Sequence, residues 1–150
     1  MSQEAREALC AKIASFANAS DKTDLLDENL TSTWLIAMLT DLVDRAGPIM
    51  ITSVRTSHTT PDGPWANSGG FAADLYPADW EGQEEQACTR VMKALATSPY
   101  CYAVGLGGVT WGWRSYVTWP TQQFICFQDS QSDHLHAGCR NSVDGPGERT

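Results

Sequence analysis

The sequence predicts an α+β domain in which helices pack on a small, mostly antiparallel sheet, and three observations lead there. Apolar residues recur at helical spacing through the first part of the chain. The β-branched run Ile49-Met50-Ile51-Thr52-Ser53-Val54-Arg55 then breaks that period. Beyond it, short strand-like segments alternate with connections rich in Gly and Pro and with one further helical pattern.

Taken in order, Ser2 can cap a first amphipathic helix in which Ala5, Leu9, Ile13 and Phe16 recur, ending near Asn18. Its apolar stripe needs a surface to lie on. A second helix from about Ser32 to Ala46 offers one, with Leu35, Met38, Leu39, Leu42 and Val43 along one side and Gly47-Pro48 as the stop. The acidic stretch Asp21 to Asn29 joins the two into an N-terminal helical layer. Ile49 to Arg55 is the first core strand. The segment Thr56 to Gly70, with Pro61, Gly63, Pro64, Gly69 and Gly70, is a loop of the length that carries binding or catalytic residues. Phe71 to Tyr76 reads as a short strand, followed by a third helix from the cap Asp79 through Ala87, Cys88, Val91, Met92 and Leu95 to the Ser98-Pro99 break. Tyr100 to Leu106, Phe124 to Gln128 and His134 to Cys139 are further strands, the first two separated by a Trp-rich stretch, Gly107 to Trp119. One domain thus spans residues 1–140, and residues 141–150, made of Gly, Pro and charge, form an exposed tail.

Composition narrows the partners. With 150 residues, 42% of them apolar, the chain can bury one ordinary core. A net charge of −8, with no stripe of Lys and Arg to offset it, repels phosphate backbones and excludes nucleic acid as the expected partner. Glu4, Arg6 and Lys12 interrupt the apolar residues from Met1 to Asn18, so no signal peptide is expected, and no run reaches the roughly 18 apolar residues of a spanning helix. The expectation is a soluble protein, cytoplasmic when made and not inserted in a membrane. Cys10, Cys88, Cys101, Cys126 and Cys139 are widely spaced, odd in number and without a C-x-x-C pair. Five buried free thiols are predicted, and no zinc cluster built on them.

Two constellations carry chemistry. In Asp133-His134-Leu135-His136 the alternation of a strand puts His134 and His136 on one face and Leu135 on the core side, so two imidazoles can meet one metal ion. Two solvated histidines on an edge strand fit the pattern as well. The chain's three histidines are these two and His58, in the long loop. In Asn67-Ser68-Gly69-Gly70-Phe71-Ala72-Ala73-Asp74-Leu75, Gly70 lets the backbone turn, Ala72 leaves room for packing, and Asp74 offers a carboxylate to a cation. A Gly-rich turn followed by a surface aspartate reads the same way.

Together these segments resemble the D-Ala-D-Ala carboxypeptidases and phage L-alanyl-D-glutamate endopeptidases, zinc peptidases related to the hedgehog-type and penicillin-insensitive murein endopeptidase sites. The first family motif has the form H-x-x-G-x-A-x-D; Gly70, Ala72 and Asp74 match it, and Asn67 stands where the ligand histidine belongs. Asp133 and His136 fit the family's E/D-x-x-H, His134 and His136 fit its H-x-H version, and Arg55 stands where an arginine binds substrate or oxyanion. The resemblance covers about Ile49 to Cys139 and implies the zinc-peptidase fold. It further implies zinc held by Asp74, His136 and a third ligand, for which His58 can replace the residue lost at Asn67. Asp133 or His134 would take a proton, Arg55 would stabilise the oxyanion, and a peptidoglycan stem peptide would lie under Trp65 and the aromatics from Trp111 to Trp119. Two readings follow: a phage or bacterial hydrolase of cell-wall peptides, virion-associated or released by lysis, or a lapsed peptidase fold serving as a virion structural or binding component. In the second, Trp111, Trp113, Tyr116 and Trp119 form the contact patch for a protein partner.

Overall fold

A computed structural model describes residues 2–55, 70–106, 109–112 and 135–140. Among these residues four helices and six strands follow one another as α1 (Gln3–Lys12), β1 (Ser15–Phe16), α2 (Ala19–Leu26), α3 (Thr33–Ala46), β2 (Ile49–Val54), β3 (Ala72–Pro77), α4 (Glu84–Ala96), β4 (Cys101–Leu106), β5 (Val109–Gly112) and β6 (Leu135–Cys139). The fold class is α+β. Among the described residues the strands form one mixed sheet in the order β1-β2-β3-β6-β4-β5, with β1 parallel to β2 and every other pairing antiparallel.

The Ser2 hydroxyl caps α1 by accepting from the Ala5 amide at 3.2 Å, and Glu4 and Lys12 sit at the ends where the helix dipole favours their charges. The helix stops at Lys12 and not near Asn18. Ile13 turns extended, and the amides of Ala14 and Ala17 donate to Ile49 O and Ile51 O at 2.8 and 2.9 Å. Phe16 therefore follows the apolar period from a strand: pairing with β2 satisfies backbone groups that another helical turn would have satisfied internally.

The acidic stretch expected to be a plain connection also folds, into α2. Leu25 is fully buried, and Asp21, only 4% exposed, accepts from the Val54 amide at 3.0 Å through Oδ1. Arg6 on α1 closes this corner: Nη1 donates to Leu25 O at 2.8 Å and Thr31 Oγ1 at 2.7 Å, and Nη2 donates to Thr31 O at 2.8 Å. A long charged side chain that is 1% exposed has become an internal bracket for the connection between α2 and α3.

In α3 the Ser32 hydroxyl accepts from the Trp34 amide, and the helix ends at Gly47, whose φ of 89° is a backbone state other residues resist. Helix α4 begins at Glu84, five residues after the expected cap. Asp79 instead receives Arg90 Nη2 at 2.6 Å, while Pro77 to Gln83 forms turns that pass through Gly82 at φ 78°. The Trp-rich stretch contributes a strand of its own, β5. The predicted strand Phe124 to Gln128 and the tail 141–150 lie outside the described residues. Arg140, the residue before that tail, is buried; its amide donates to Tyr100 O and its Nε to Cys101 O.

One sheet face carries Ile51, Val54, Ala73, Leu75, Leu135 and Ala137 into a core shared with Leu9, Leu39, Leu42, Val91 and Leu95 of the helices. Cys10, Cys88, Cys101 and Cys139 are buried thiols within this core; Cys126 lies outside the described residues. Among the described residues no helix is long and apolar enough to cross a membrane.

Candidate functional site

Period two along a strand means that the residues between the core positions form a second row on the opposite face. The pairing brings that row into line: Ser53 of β2 lies opposite Asp74 of β3, Asp74 opposite His136 of β6, and His136 opposite Gly105 of β4. A bulge between Ile51 and Ser53 on β2 sets this alignment, since it admits one extra residue and brings Ser53 level with Asp74.

Asp74 and His136 meet directly, with His136 Nδ1 3.0 Å from Asp74 Oδ1. Both are buried, at 4% and 7% exposure. A carboxylate and an imidazole taken out of water together constrain each other, because each needs a hydrogen-bonding or ionic partner in place of the solvent it has lost. Two arrangements satisfy the contact. With the proton on Nδ1, His136 donates to Asp74, the contact by which a carboxylate orients a metal-binding histidine. With Nδ1 unprotonated, both groups face a cation as donors.

Arg55 follows the last residue of β2. Its φ of 57° places a non-glycine residue in the left-handed region, a strain that its surroundings must hold. Nη1 lies 3.5 Å from Asp24 Oδ2 on α2, and the buried Nε has no hydrogen-bond partner among the described residues. The guanidinium is thus anchored at one end while its side chain remains about one-third exposed, at 32%.

Of the residues the sequence marked, the structure brings Asp74 and His136 into contact and sets Arg55 at the end of the neighbouring strand. His58, Asn67, Asp133, His134, Trp65, Trp113, Tyr116 and Trp119 lie outside the described residues. Among the described residues no group of three His, Cys, Asp or Glu side chains is placed to hold a metal ion. Asp74 and His136 are two suitable donors, and a complete zinc site needs at least one more.

Sequence reasoning missed two supports of this site. Gly70 does more than turn the chain: a Cβ there would stand 2.1 Å from Leu30 O and 2.8 Å from Thr31 Cα, and the Gly70 carbonyl accepts from the Ser32 amide. The start of β3 is therefore seated on the connection into α3, which fixes where Asp74 falls. Asp21 and Asp24 of α2 hold Val54 and Arg55 at the end of β2. Their spacing with Leu25, three and four residues apart, was the available signal for a helix.

Neither a protein-family model, nor a curated protein, nor a solved structure matches this chain.

Proposed function

We propose that this chain is a zinc peptidase-like protein directed at peptidoglycan stem peptides, with a metal site weakened at Asn67. The observation that carries the reading is the buried contact of Asp74 with His136, two residues 62 positions apart in sequence that lie opposite each other in adjacent strands. In the resemblance these are metal ligands, and their chemistry fits: one carboxylate and one imidazole, hard and borderline donors that suit zinc. His58 is the candidate third ligand in place of the histidine absent at Asn67.

Zinc, when bound, supplies a Lewis acid and lowers the pKa of water. The chain's own residues supply the rest. Asp74 and His136 would both serve as ligands, and the rigid strand pair keeps the two donors in place without the entropy cost of gathering them from loops. Arg55, held at its Nη1 end by Asp24, presents positive charge near the end of β2, where it can receive a substrate carboxylate or a developing oxyanion. Asp133 or His134 is the candidate proton acceptor, by the family motif.

The substitution at Asn67 favours a second reading, a lapsed peptidase fold that binds without cutting, because an amide oxygen is a weaker zinc donor than imidazole. Elemental analysis of the purified protein after zinc loading, combined with hydrolysis of a D-Ala-D-Ala-terminated stem peptide, separates the two. The peptidase reading expects about one zinc per chain, lost in His136→Ala and His58→Ala, and turnover that follows the metal. Little zinc in the wild type, rising only in Asn67→His, supports the lapsed reading. Zinc binding that is unchanged by His136→Ala would overturn the assignment of the site itself.

A further inference from the structure

At the far end of the same strand pair, Cys101 and Cys139 lie directly opposite each other. The amides of both donate away from the pair. The Cys101 amide donates to Ser98 O and its carbonyl accepts from Arg140 Nε; the Cys139 amide donates to Phe71 O. The next bond along the ladder, from the Arg140 amide to Tyr100 O at 2.8 Å, brackets them as a pair of the non-hydrogen-bonded kind. In regular pairs of this kind the Cα atoms stand about 4.5 Å apart, inside the 4.4–6.8 Å window that a disulfide spans, and the bulge between Cys101 and Ala103 turns Cys101 to the core side with Cys139. Both residues belong to the helix-facing core and both are 4% exposed.

We propose that Cys101 and Cys139 form a cross-strand disulfide when the folded protein meets a small-molecule disulfide such as oxidised glutathione. One cysteine, as thiolate, attacks the oxidant and releases one reduced glutathione. The second cysteine then attacks the resulting mixed disulfide at the protein sulfur, forming the Cys101–Cys139 bond and releasing a second reduced glutathione. The protein loses two hydrogens and two electrons, and the oxidant gains them. Access comes through the end of the ladder: Cys101 is the first residue of β4 and Cys139 the last of β6, positions where strands open ahead of the domain as a whole. The bridge would lock β6, three residues after His136, onto β4.

The test uses the full chain with Cys126→Ser, which carries four thiols, the five of the sequence less one. After incubation of the folded protein with oxidised glutathione and blocking of the remaining thiols, two of the four should be lost, and proteolysis should yield one linked pair containing Cys101 and Cys139. Adding Cys139→Ser should restore full thiol reactivity after unfolding, apart from any reversible glutathione adduct. The bridged protein should melt several degrees above the reduced one, because the cross-link restrains the unfolded chain. Four titratable thiols after oxidation, or a linkage that involves Cys10 or Cys88, overturns the proposal.

Discussion

The two faces of the central sheet obey different rules although they are interleaved residue by residue. On the helix side, Ile51, Leu75 and Leu135 line up across three adjacent strands and are completely buried. On the other side, one residue removed in β3 and β6, Asp74 and His136 form a nearly equally buried polar pair. Apolar burial tolerates many partners, whereas a buried carboxylate tolerates few, so the polar row is the more demanding of exact register. A slip of one residue by β6 would turn that strand over, placing His136 against the helices and Leu135 and Ala137 on the opposite face.

This contrast can be broken first on the apolar side. Leu75→Ala removes a fully buried side chain from between sheet and helices and should cost about 2–5 kcal/mol, read as a fall in the denaturant midpoint. A cost below about 1 kcal/mol would mean that the helix-facing row does not carry the fold. On the polar side, His136→Leu leaves the Asp74 carboxylate buried without its imidazole and should cost about 1–3 kcal/mol. The double variant Asp74→Leu, His136→Leu sharpens the point. If the pair is kept for chemistry and not for stability, the double variant should be more stable than the sum of the single losses, because both buried polar groups leave together. Additive losses would argue against coupling between them.

The smallest effect lies off both faces, in the pair Asp79 and Arg90, whose side chains are 47% and 40% exposed. The hydrogen bond from Arg90 holds the Asp79 carboxyl below its usual pKa, followed by a counteracting desolvation and then the charge of Arg90. A depressed carboxylate pKa contributes stability that is present above the unfolded value and lost as pH falls through the folded one. Asp79→Asn should therefore cost less than about 1 kcal/mol near neutrality, and the difference from wild type should begin to shrink in melts below about pH 4 and vanish only below the depressed folded-state pKa.

Where local pattern and tertiary demand agreed, the elements were legible. Helix α3 carries its cap Ser32, its apolar stripe and its stop at Gly47 within one stretch, and β2 follows with β-branched residues. The contact of Asp74 with His136 was legible only through motif order, since nothing in either segment alone states that β3 and β6 are neighbours. The misplaced boundaries share a cause. Ile13 and Phe16 continue a helical period, but Ile13 ends the helix and Phe16 lies in the edge strand, and Asp79 looks like a cap but binds Arg90. In both cases a partner distant in sequence outweighed the local preference. Arg6 is the extreme instance: its position among apolar residues gave no hint that the groups it binds lie between 19 and 25 residues away.

The strand order has a consequence for how the molecule comes into being. β6, the last strand in sequence among the described elements, is inserted between β3 and β4, near the middle of the sheet. Until it arrives, β3 has no partner on that side, and the ladders β1-β2-β3 and β4-β5 are separate pieces. During synthesis the amino-terminal portion can collapse on its helices, but the sheet closes only after residue 139 has left the ribosome. High contact order then makes closure a slow step. The same event brings His136 beside Asp74, so a nascent chain can acquire its buried polar pair only as the sheet becomes whole.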